Sequence, residues 1–230
     1  MKRIFFLSWL IIVASISAKA QDAKDLIMQI KEKLDRVNNY EAKGRMKMNV
    51  DFIKAPVASV KVYYKRPDKI KINNESGISL IPKGSVNISM GSIIANISQC
   101  DIIDAGRDDK MNLRIIKLLP RDDNANVVLS TLYIDEKQLL VKKAKTTTKE
   151  NGTYELEMTY GNYAAYGLAD KVIFSFNTKD YKLPKGVTLD YEDGSKKPSE
   201  EDKIKDKKGT VEIRYSEYLI NKGIPDSVFQ

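Results

Sequence analysis

One stretch of the chain, residues 40–52, alternates strictly between two kinds of side chain. The apolar or small members are Tyr40, Ala42, Gly44, Met46, Met48, Val50 and Phe52, and every residue between them is charged or is Asn49. Successive side chains of a β-strand point to opposite faces, so the stretch predicts one strand with an apolar face and a charged face. At roughly 3.4 Å per residue it would span about 44 Å, against about 17–20 Å for a usual strand. We therefore expect a large, twisted antiparallel sheet with one wet side.

Shorter alternating stretches come after it, separated by turn signals such as Pro67 and the Asn151-Gly152 pair. They predict strands near residues 57–65, 69–72, 78–81, 113–119, 127–134, 139–147, 154–160, 172–176, 187–191 and 211–216. Residues 85–110 have no clear pattern, and their end, 106–110, is expected to be a polar loop. Residues 192–209 are almost entirely charged or polar and predict an exposed loop. The count is about ten or eleven strands with no internal repeat.

A helix is predicted before the long strand, over residues 22–37. Apolar residues recur there at three- and four-residue spacing, at Leu26, Ile27, Ile30, Leu34 and Val37. Asp22 can cap the start of the helix, where a negative charge also suits the positive end of the helix dipole. The Asn38-Asn39 pair is expected to end it and to turn the chain into the sheet.

Residues 1–20 have the pattern of a secretory signal peptide. Lys2 and Arg3 precede an apolar run at 4–16, and Ala18-Lys19-Ala20 is a small-residue cleavage motif. The alternative, an uncleaved membrane anchor, is disfavoured because the run has about 13 residues where a span needs about 20. We therefore expect export, cleavage after Ala20 and a single domain over residues 21–230. Loss of Lys2, Arg3 and Lys19 would lower the formal charge from +8 to +5.

The composition argues against enzymatic chemistry. The chain has no histidine and one cysteine, Cys100, which excludes Ser-His-Asp and Cys-His catalysis and any histidine-ligated metal. Acidic pairs such as Asp108-Asp109 lie in loop-like segments without spaced partners and are interpreted as solvated surface. No phosphate-binding glycine pattern is present. We expect a protein that is not an enzyme, with no cofactor, no metal and no nucleic-acid partner.

The inward-facing side chains of the predicted strands form the candidate binding surface. Its members are Met46, Met48, Val50, Phe52, Val60, Val62, Tyr64, Ile70, Ile72, Leu156, Met158, Phe174, Phe176 and Ile213, with Tyr154, Val172, Val211 and Tyr215 in the same rows. Alternation alone allows either an ordinary packed core or a lipid-holding cavity. Flexible, polarisable methionines suit a site that accepts variable chains. Arg66 falls on the same parity as these residues, although a solvated charge beside a turn is an equally open interpretation.

The order of helix, long strand, second strand and Lys65-Arg66-Pro67 turn resembles the bacterial outer-membrane lipoprotein carriers, the LolA family and its superfamily. Three segments carry the resemblance: residues 30–42 at the helix and strand entry, Tyr63-Tyr64-Lys65-Arg66-Pro67-Asp68 at the turn, and 211–229 at the last strand and tail. The resemblance implies an eleven-stranded half-open barrel, mainly β, with helices across its concave mouth. Arg66 matches the family arginine that hydrogen-bonds the helical lid, whose inward residues here would be Leu26, Ile30 and Leu34.

The resemblance favours a monomeric periplasmic carrier that holds lipoprotein or lipid acyl chains without covalent chemistry. Its partners would be an inner-membrane donor complex and an outer-membrane acceptor. A second hypothesis is a periplasmic sensor or scaffold of the same fold that binds a protein partner. A third, an exported hydrolase, is disfavoured by the missing histidine.

Overall fold

The computed structural model describes residues 22–49, 57–74, 93–94, 97–150, 152–177 and 208–229. Several predictions lie outside these residues: the signal peptide at 1–20, the strands at 78–81 and 187–191, residues 192–207 of the loop predicted at 192–209, and the lining residues Val50 and Phe52. The elements and contacts given below belong to the described part of the chain.

Helix α1 covers residues 22–35 and matches the amphipathic pattern. Ala23, Leu26, Ile27 and Ile30 are buried along one stripe, because the three- and four-residue spacing places them on one side of the helix. Val37, in the segment that connects the helix to β1, is also buried.

Ten strands follow the helix in the described part of the chain. They are β1 (Asn39–Asn49), β2 (Ala58–Lys65), β3 (Lys69–Asn74), β4 (Cys100–Asp108), β5 (Leu113–Pro120), β6 (Val127–Asp135), β7 (Leu140–Thr148), β8 (Gly152–Thr159), β9 (Lys171–Asn177) and β10 (Lys208–Ile220). Short 3₁₀ turns lie at Ile97–Gln99, Ala164–Tyr166 and Asp226–Phe229.

The strands form one antiparallel sheet in the order β3-β2-β1-β10-β9-β8-β7-β6-β5-β4. Consecutive strands pair with each other, except that β3 and β4 lie at opposite edges, and the first and last strands, β1 and β10, also pair with each other. Among the described strands, β3 and β4 are therefore the two edges of the sheet, as expected for a half-open barrel. The expected class, mainly β with an N-terminal helix, is confirmed.

The alternation of β1 is realised as predicted. Tyr40, Ala42 and Met46 are buried, whereas Lys43, Arg45 and Lys47 are exposed. The pairing with β10 shifts register between Lys43 and Gly44. A Cβ atom on Gly44 would lie 2.7 Å from the carbonyl oxygen of Arg214, so only glycine fits this close approach of two backbones.

Two sequence predictions need correction. Residues 106–108, expected in a loop, belong to β4. The last strand runs from Lys208 to Ile220 rather than over 211–216, so residues 208–209, also expected in a loop, belong to it. β4 is an edge strand with no buried residue, so its alternation is weak. Gly106, with φ of +88°, sits in a register shift after which Arg107 pairs with Arg114. Bulges of this kind are common at sheet edges and leave little sequence signal.

Candidate functional site

The inner face of the sheet is mostly apolar. Strand register aligns one row across seven strands, from β1 through β10 to β5: Met48, Val211, Phe174, Leu156, Ala144, Leu132 and Ile116. Every member is buried except Met48, which is half-buried. Side chains on one face of paired strands contact each other directly, so the row is a continuous apolar strip.

The structure places most of the predicted lining residues on this face. Met46, Val60, Val62, Tyr64, Leu156, Met158, Phe174, Phe176 and Ile213 are buried, and Met48, Ile70 and Ile72 are half-buried. Leu26 and Ile30 of α1 are buried in the same apolar cluster, against which the half-buried Leu34 packs. The helix therefore covers the inner face, and in this closed arrangement helix and sheet side chains pack together.

Helix α1 lies across one end of the sheet. Lys33 donates to the carbonyl oxygen of Gln138 in the β6–β7 turn at 2.7 Å. Leu34 lies against Gly167 of the β8–β9 loop, where an added Cβ atom would come within 2.7 Å of its Cδ2. Gly167 also has φ of +69°, a conformation that other residues rarely adopt. The β6–β7 turn and the β8–β9 loop at this end of the sheet thus both contact the helix.

Arg66 joins the C-terminal end of α1 to the β2–β3 turn. Its Nη1 donates to the carbonyl oxygen of Asp35 at 2.9 Å, and its Nη2 lies 3.2 Å from Asp35 Oδ1. The last carbonyl groups of a helix have no partner within the helix, so this donor satisfies one of them. Lys31 also pairs with the Asp35 carboxylate. Both Arg66 and Asp35 remain more than one-third exposed.

Arg114 joins the opposite end of α1 to the sheet. Its Nη1 lies 2.7 Å from Asp22 Oδ2 and 2.9 Å from Glu136 Oε1, and its Nη2 lies 2.9 Å from Asp104 Oδ2. Its side chain is only 11% exposed. Burial works against the charged guanidinium, but hydrogen bonds to Asp104, Glu136 and Asp22 raise its pKa overall. Sequence reasoning missed this residue, because its partners lie far away along the chain.

Five tyrosines form a cluster, here called the tyrosine cluster, beside the Asp35 end of α1: Tyr40, Tyr64, Tyr163, Tyr215 and Tyr218. Ring centroids lie 5.2 Å apart for Tyr40 and Tyr64, and 4.8 Å apart for Tyr163 and Tyr218. The Tyr218 hydroxyl donates to the carbonyl oxygen of Ala169 at 2.7 Å. Desolvation by burial raises the pKa of Tyr40, Tyr64, Tyr215 and Tyr218.

A row of hydroxyl groups interrupts the apolar inner face. Ser130 and Thr146 are buried opposite each other on β6 and β7, with their hydroxyl oxygens 3.0 Å apart. Tyr154 continues the row on β8. Burial raises the pKa of Tyr154 above its usual value, and the opposing effect of its hydrogen bond with Thr146 is smaller. The sequence did not identify Ser130 and Thr146 as inner-face residues, because their residue types resemble those of the outward-facing polar positions of β6 and β7.

Among the described residues, no three acidic, cysteine or histidine side chains are grouped as a metal site. Burial raises the pKa of the half-buried Cys100 thiol, with Arg121 opposing this, which makes it a poor nucleophile. Within the described part of the chain, no helix has the length and apolar character needed to cross a membrane.

Solved structures share this fold. A domain assigned as an outer membrane lipoprotein-sorting protein from Vibrio parahaemolyticus has a TM-score of 0.56 at 12% identity, covering 92% of this chain and 97% of that one. A DUF1329 family protein from Desulfovibrio piger gives 0.53 at 13%, covering 92% and 97%. A LolA superfamily protein from Nitrosomonas europaea gives 0.52 at 11%, covering 88% and 96%.

No family model and no curated protein matches the sequence. The three solved structures show that the fold is LolA-like, as the sequence resemblance predicted. At these identities the similarity establishes the fold alone, so the function has to be argued from the site.

Proposed function

We propose that the protein is a non-enzymatic carrier that binds acyl chains of a lipid or lipoprotein between the inner face of the sheet and α1. The observation that carries this proposal is the continuous apolar row across seven strands, covered by an amphipathic helix held at both ends by arginine–aspartate pairs. An apolar surface whose cover is fastened by breakable polar contacts can be exposed and closed again. The Vibrio protein of the same fold is described as an outer membrane lipoprotein-sorting protein, which agrees with this role.

Loading requires α1 to leave part of the inner face. Residues 36–38 tie the helix to β1, so the helix can swing while its C-terminal end stays attached. Arg66 and Arg114 then set the closed–open equilibrium. Polar contacts whose partners are this exposed contribute up to about 1 kcal/mol each, so breaking one shifts the open population up to roughly fivefold. An acyl chain would replace the apolar contacts that α1 gives up, and no covalent step is needed.

The setting of this carrier is inferred from the leader. In this proposal the chain is exported, loses residues 1–20 after Ala20 and works as a monomer in the periplasm. Its cargo would pass from a donor in the inner membrane to an acceptor at the outer membrane. An intact mass that still includes residues 1–20 would refute this part of the proposal.

The direct test is to identify what the protein carries. Protein purified from its native envelope is extracted with organic solvent, and the extract is analysed by mass spectrometry. We expect stoichiometric acyl lipid or lipoprotein. A specific protein partner without lipid would instead favour the sensor or scaffold alternative, and turnover of an ester substrate would contradict the non-enzymatic role.

A matched pair of variants tests the binding face. Met46→Asp places a carboxylate among buried side chains, whereas Lys47→Asp changes the next, exposed residue. An unpaired buried carboxylate is expensive, so Met46→Asp should abolish binding of a fluorescent fatty acid or lower stability by several kcal/mol. Lys47→Asp should stay within roughly 0.5 kcal/mol. Equal behaviour of the two variants in both assays would remove the inner face as the binding surface.

A further inference from the structure

Three buried hydroxyl groups form a polar spot on the inner face of the sheet. They belong to Ser130, Thr146 and Tyr154, here called the hydroxyl row, and all three residues are buried. Strand register places Ser130 of β6 opposite Thr146 of β7, and Thr146 opposite Tyr154 of β8. Removing a hydroxyl group from water is unfavourable unless it is hydrogen-bonded, so three of them at consecutive positions of one row need a physical reason.

The strand positions around the hydroxyl row are apolar and uncharged. In the same cross-strand row, the buried side chains of Leu118 and Phe176 flank it. Two residues along each strand, Leu132, Ala144 and Leu156 belong to the apolar strip that crosses seven strands. Neither of these two rows contains a charged residue. An ion bound at the hydroxyl row would therefore meet no opposite charge from them, and burying an unpaired ion is expensive.

The hydrogen bonds within the hydroxyl row leave one donor available. The hydroxyl oxygens of Ser130 and Thr146 lie 3.0 Å apart, and Thr146 also hydrogen-bonds with Tyr154. Each bond uses one O–H group, whereas the three hydroxyl groups supply three. In the part of the chain that the structure describes, these two bonds thus leave one O–H group able to donate to a ligand. Burial raises the pKa of Tyr154, so its hydroxyl group stays protonated at neutral pH.

The packing of Tyr154 holds this polar spot in position. Its ring lies against Phe174, with ring centroids 5.5 Å apart, and Phe174 in turn stacks on Phe176 at 5.2 Å. Binding sites for small molecules are mostly apolar and contain a few placed polar groups, which fix the orientation of the ligand. The hydroxyl row beside the apolar strip has this composition.

We propose that the hydroxyl row binds the ester carbonyl group of an esterified acyl chain. This assignment rests on the proposed carrier function and specifies which part of the cargo the inner face recognises. An esterified chain is apolar except at its head, where the carbonyl oxygen is a neutral hydrogen-bond acceptor. The available O–H group matches this acceptor, and the neighbouring apolar strip contacts the hydrocarbon. The ligand class is therefore a neutral acyl ester rather than an ionised fatty acid.

Displacement of a fluorescent fatty acid by a pair of competitors tests this contact. Methyl palmitate and hexadecyl methyl ether have the same chain length, and a CH₂ group of the ether replaces the carbonyl group of the ester. One net hydrogen bond corresponds to about three- to tenfold in affinity, so the wild-type protein should bind the ester tighter by this factor. Equal affinities would overturn the proposal and leave the carrier role standing. Failure of the protein to bind either molecule would refute the carrier role and this contact together.

A matched pair of variants assigns the preference to the hydroxyl row. The triple variant Ser130→Ala, Thr146→Val and Tyr154→Phe removes its three hydroxyl groups and nearly keeps the side-chain sizes. The control, Thr147→Val with Thr153→Val, removes a hydroxyl pair of the outer face whose oxygens lie 2.9 Å apart across the same strands β7 and β8. The triple variant should bind ester and ether within about twofold of each other, with the ether affinity unchanged.

The control variant should keep the wild-type preference for the ester. A preference that persists in the triple variant, or that is lost in both variants, would contradict the assignment to the hydroxyl row. Palmitate is the third competitor, because its carboxylate is ionised at neutral pH. Tighter binding of palmitate than of methyl palmitate by the wild-type protein would overturn the proposed ligand class.

Discussion

The two ends of α1 are fastened by the same chemistry in different surroundings. At the Asp22 end, Arg114 is 11% exposed and holds three carboxylates. At the Asp35 end, Arg66 is 38% exposed and contacts one aspartate through its side chain and its carbonyl oxygen. Ion pairs near the surface contribute little because water and salt screen them, while a nearly buried charge depends on all its partners.

Chain connectivity explains why the two ends differ. Only residues 36–38 separate the C-terminal end of α1 from β1, so the covalent chain already keeps that end near the sheet. The Asp22 end lies a full helix length away from this connection, and there the ionic network holds the helix against the sheet. Arg114 thus secures the position of the helix, whereas Arg66 adjusts an end that is already tethered.

The largest expected loss of stability comes from alkaline pH. It should arise at the Asp35 end of α1, where the tyrosine cluster lies. Burial raises the pKa of Tyr40, Tyr64, Tyr215 and Tyr218 above the usual value of about 10. Their contribution to stability is complete below about pH 10 and is lost as the pH rises toward the folded-state pKa values. Between about pH 10 and its folded-state pKa, each such tyrosine should lower the free energy of unfolding by about 1.4 kcal/mol per pH unit.

The measurement follows tyrosinate absorbance and circular dichroism in one alkaline titration. We expect these four tyrosines to ionise together with loss of the sheet signal, so that the last rise in absorbance coincides with unfolding. If tyrosinate absorbance reached its full value before the sheet signal changed, ionisation of the tyrosine cluster would not be coupled to unfolding, and the prediction would be wrong.

Arg114→Leu should have the next largest effect. It leaves Asp104 and Glu136, both mostly buried, without this cation, and truncating such pairs costs about 2–4 kcal/mol. Chemical denaturation measures the loss. Arg107→Leu is the control, because Arg107 contacts the same Glu136 but is 45% exposed and should cost less than about 1 kcal/mol. A similar loss in both variants would show that the network at the Asp22 end gains nothing from burial.

Arg66→Leu should affect opening more than stability. It keeps the bulk of the side chain and removes the donors to Asp35, so we expect at most about 1 kcal/mol of destabilisation and faster binding of a hydrophobic dye. Arg66→Lys should restore the closed state only in part, since an ammonium cannot reproduce the planar fork. Transfer of cargo to acceptor vesicles should be impaired in Arg66→Leu. Wild-type dye binding and transfer in that variant would remove Arg66 from the lid mechanism.

The smallest effect is expected for Asp22→Asn. It removes only the helix partner of Arg114 and leaves Asp104 and Glu136 in place, and Asp22 itself is 65% exposed. We expect a loss below about 1 kcal/mol, together with increased dye binding from release of this end of α1. Unchanged dye binding would mean that apolar packing alone holds the helix at the Asp22 end.

Local patterns predicted much of the fold and of the candidate site. Three- and four-residue spacing identified α1, and period-two alternation assigned the faces of β1 and the rows that hold Phe174 and Ile213. These succeed because a single element that is buried on one side has to show its own periodicity. The strand at 106–108 and the extension of β10 were missed, because an edge strand and a strand crossing a bulge are held by their neighbours rather than by their own pattern.

What the sequence by itself determined is which side of each regular element is apolar. Only the tertiary structure decided which charges meet. Arg114 gathers Asp22, Asp104 and Glu136 from positions as far as 92 residues away. The register of β1 with β2 likewise sets Lys43 against Lys61. Alternation specifies a face but not its partner strand, and the energy of a charge depends on its neighbours in space and on its burial.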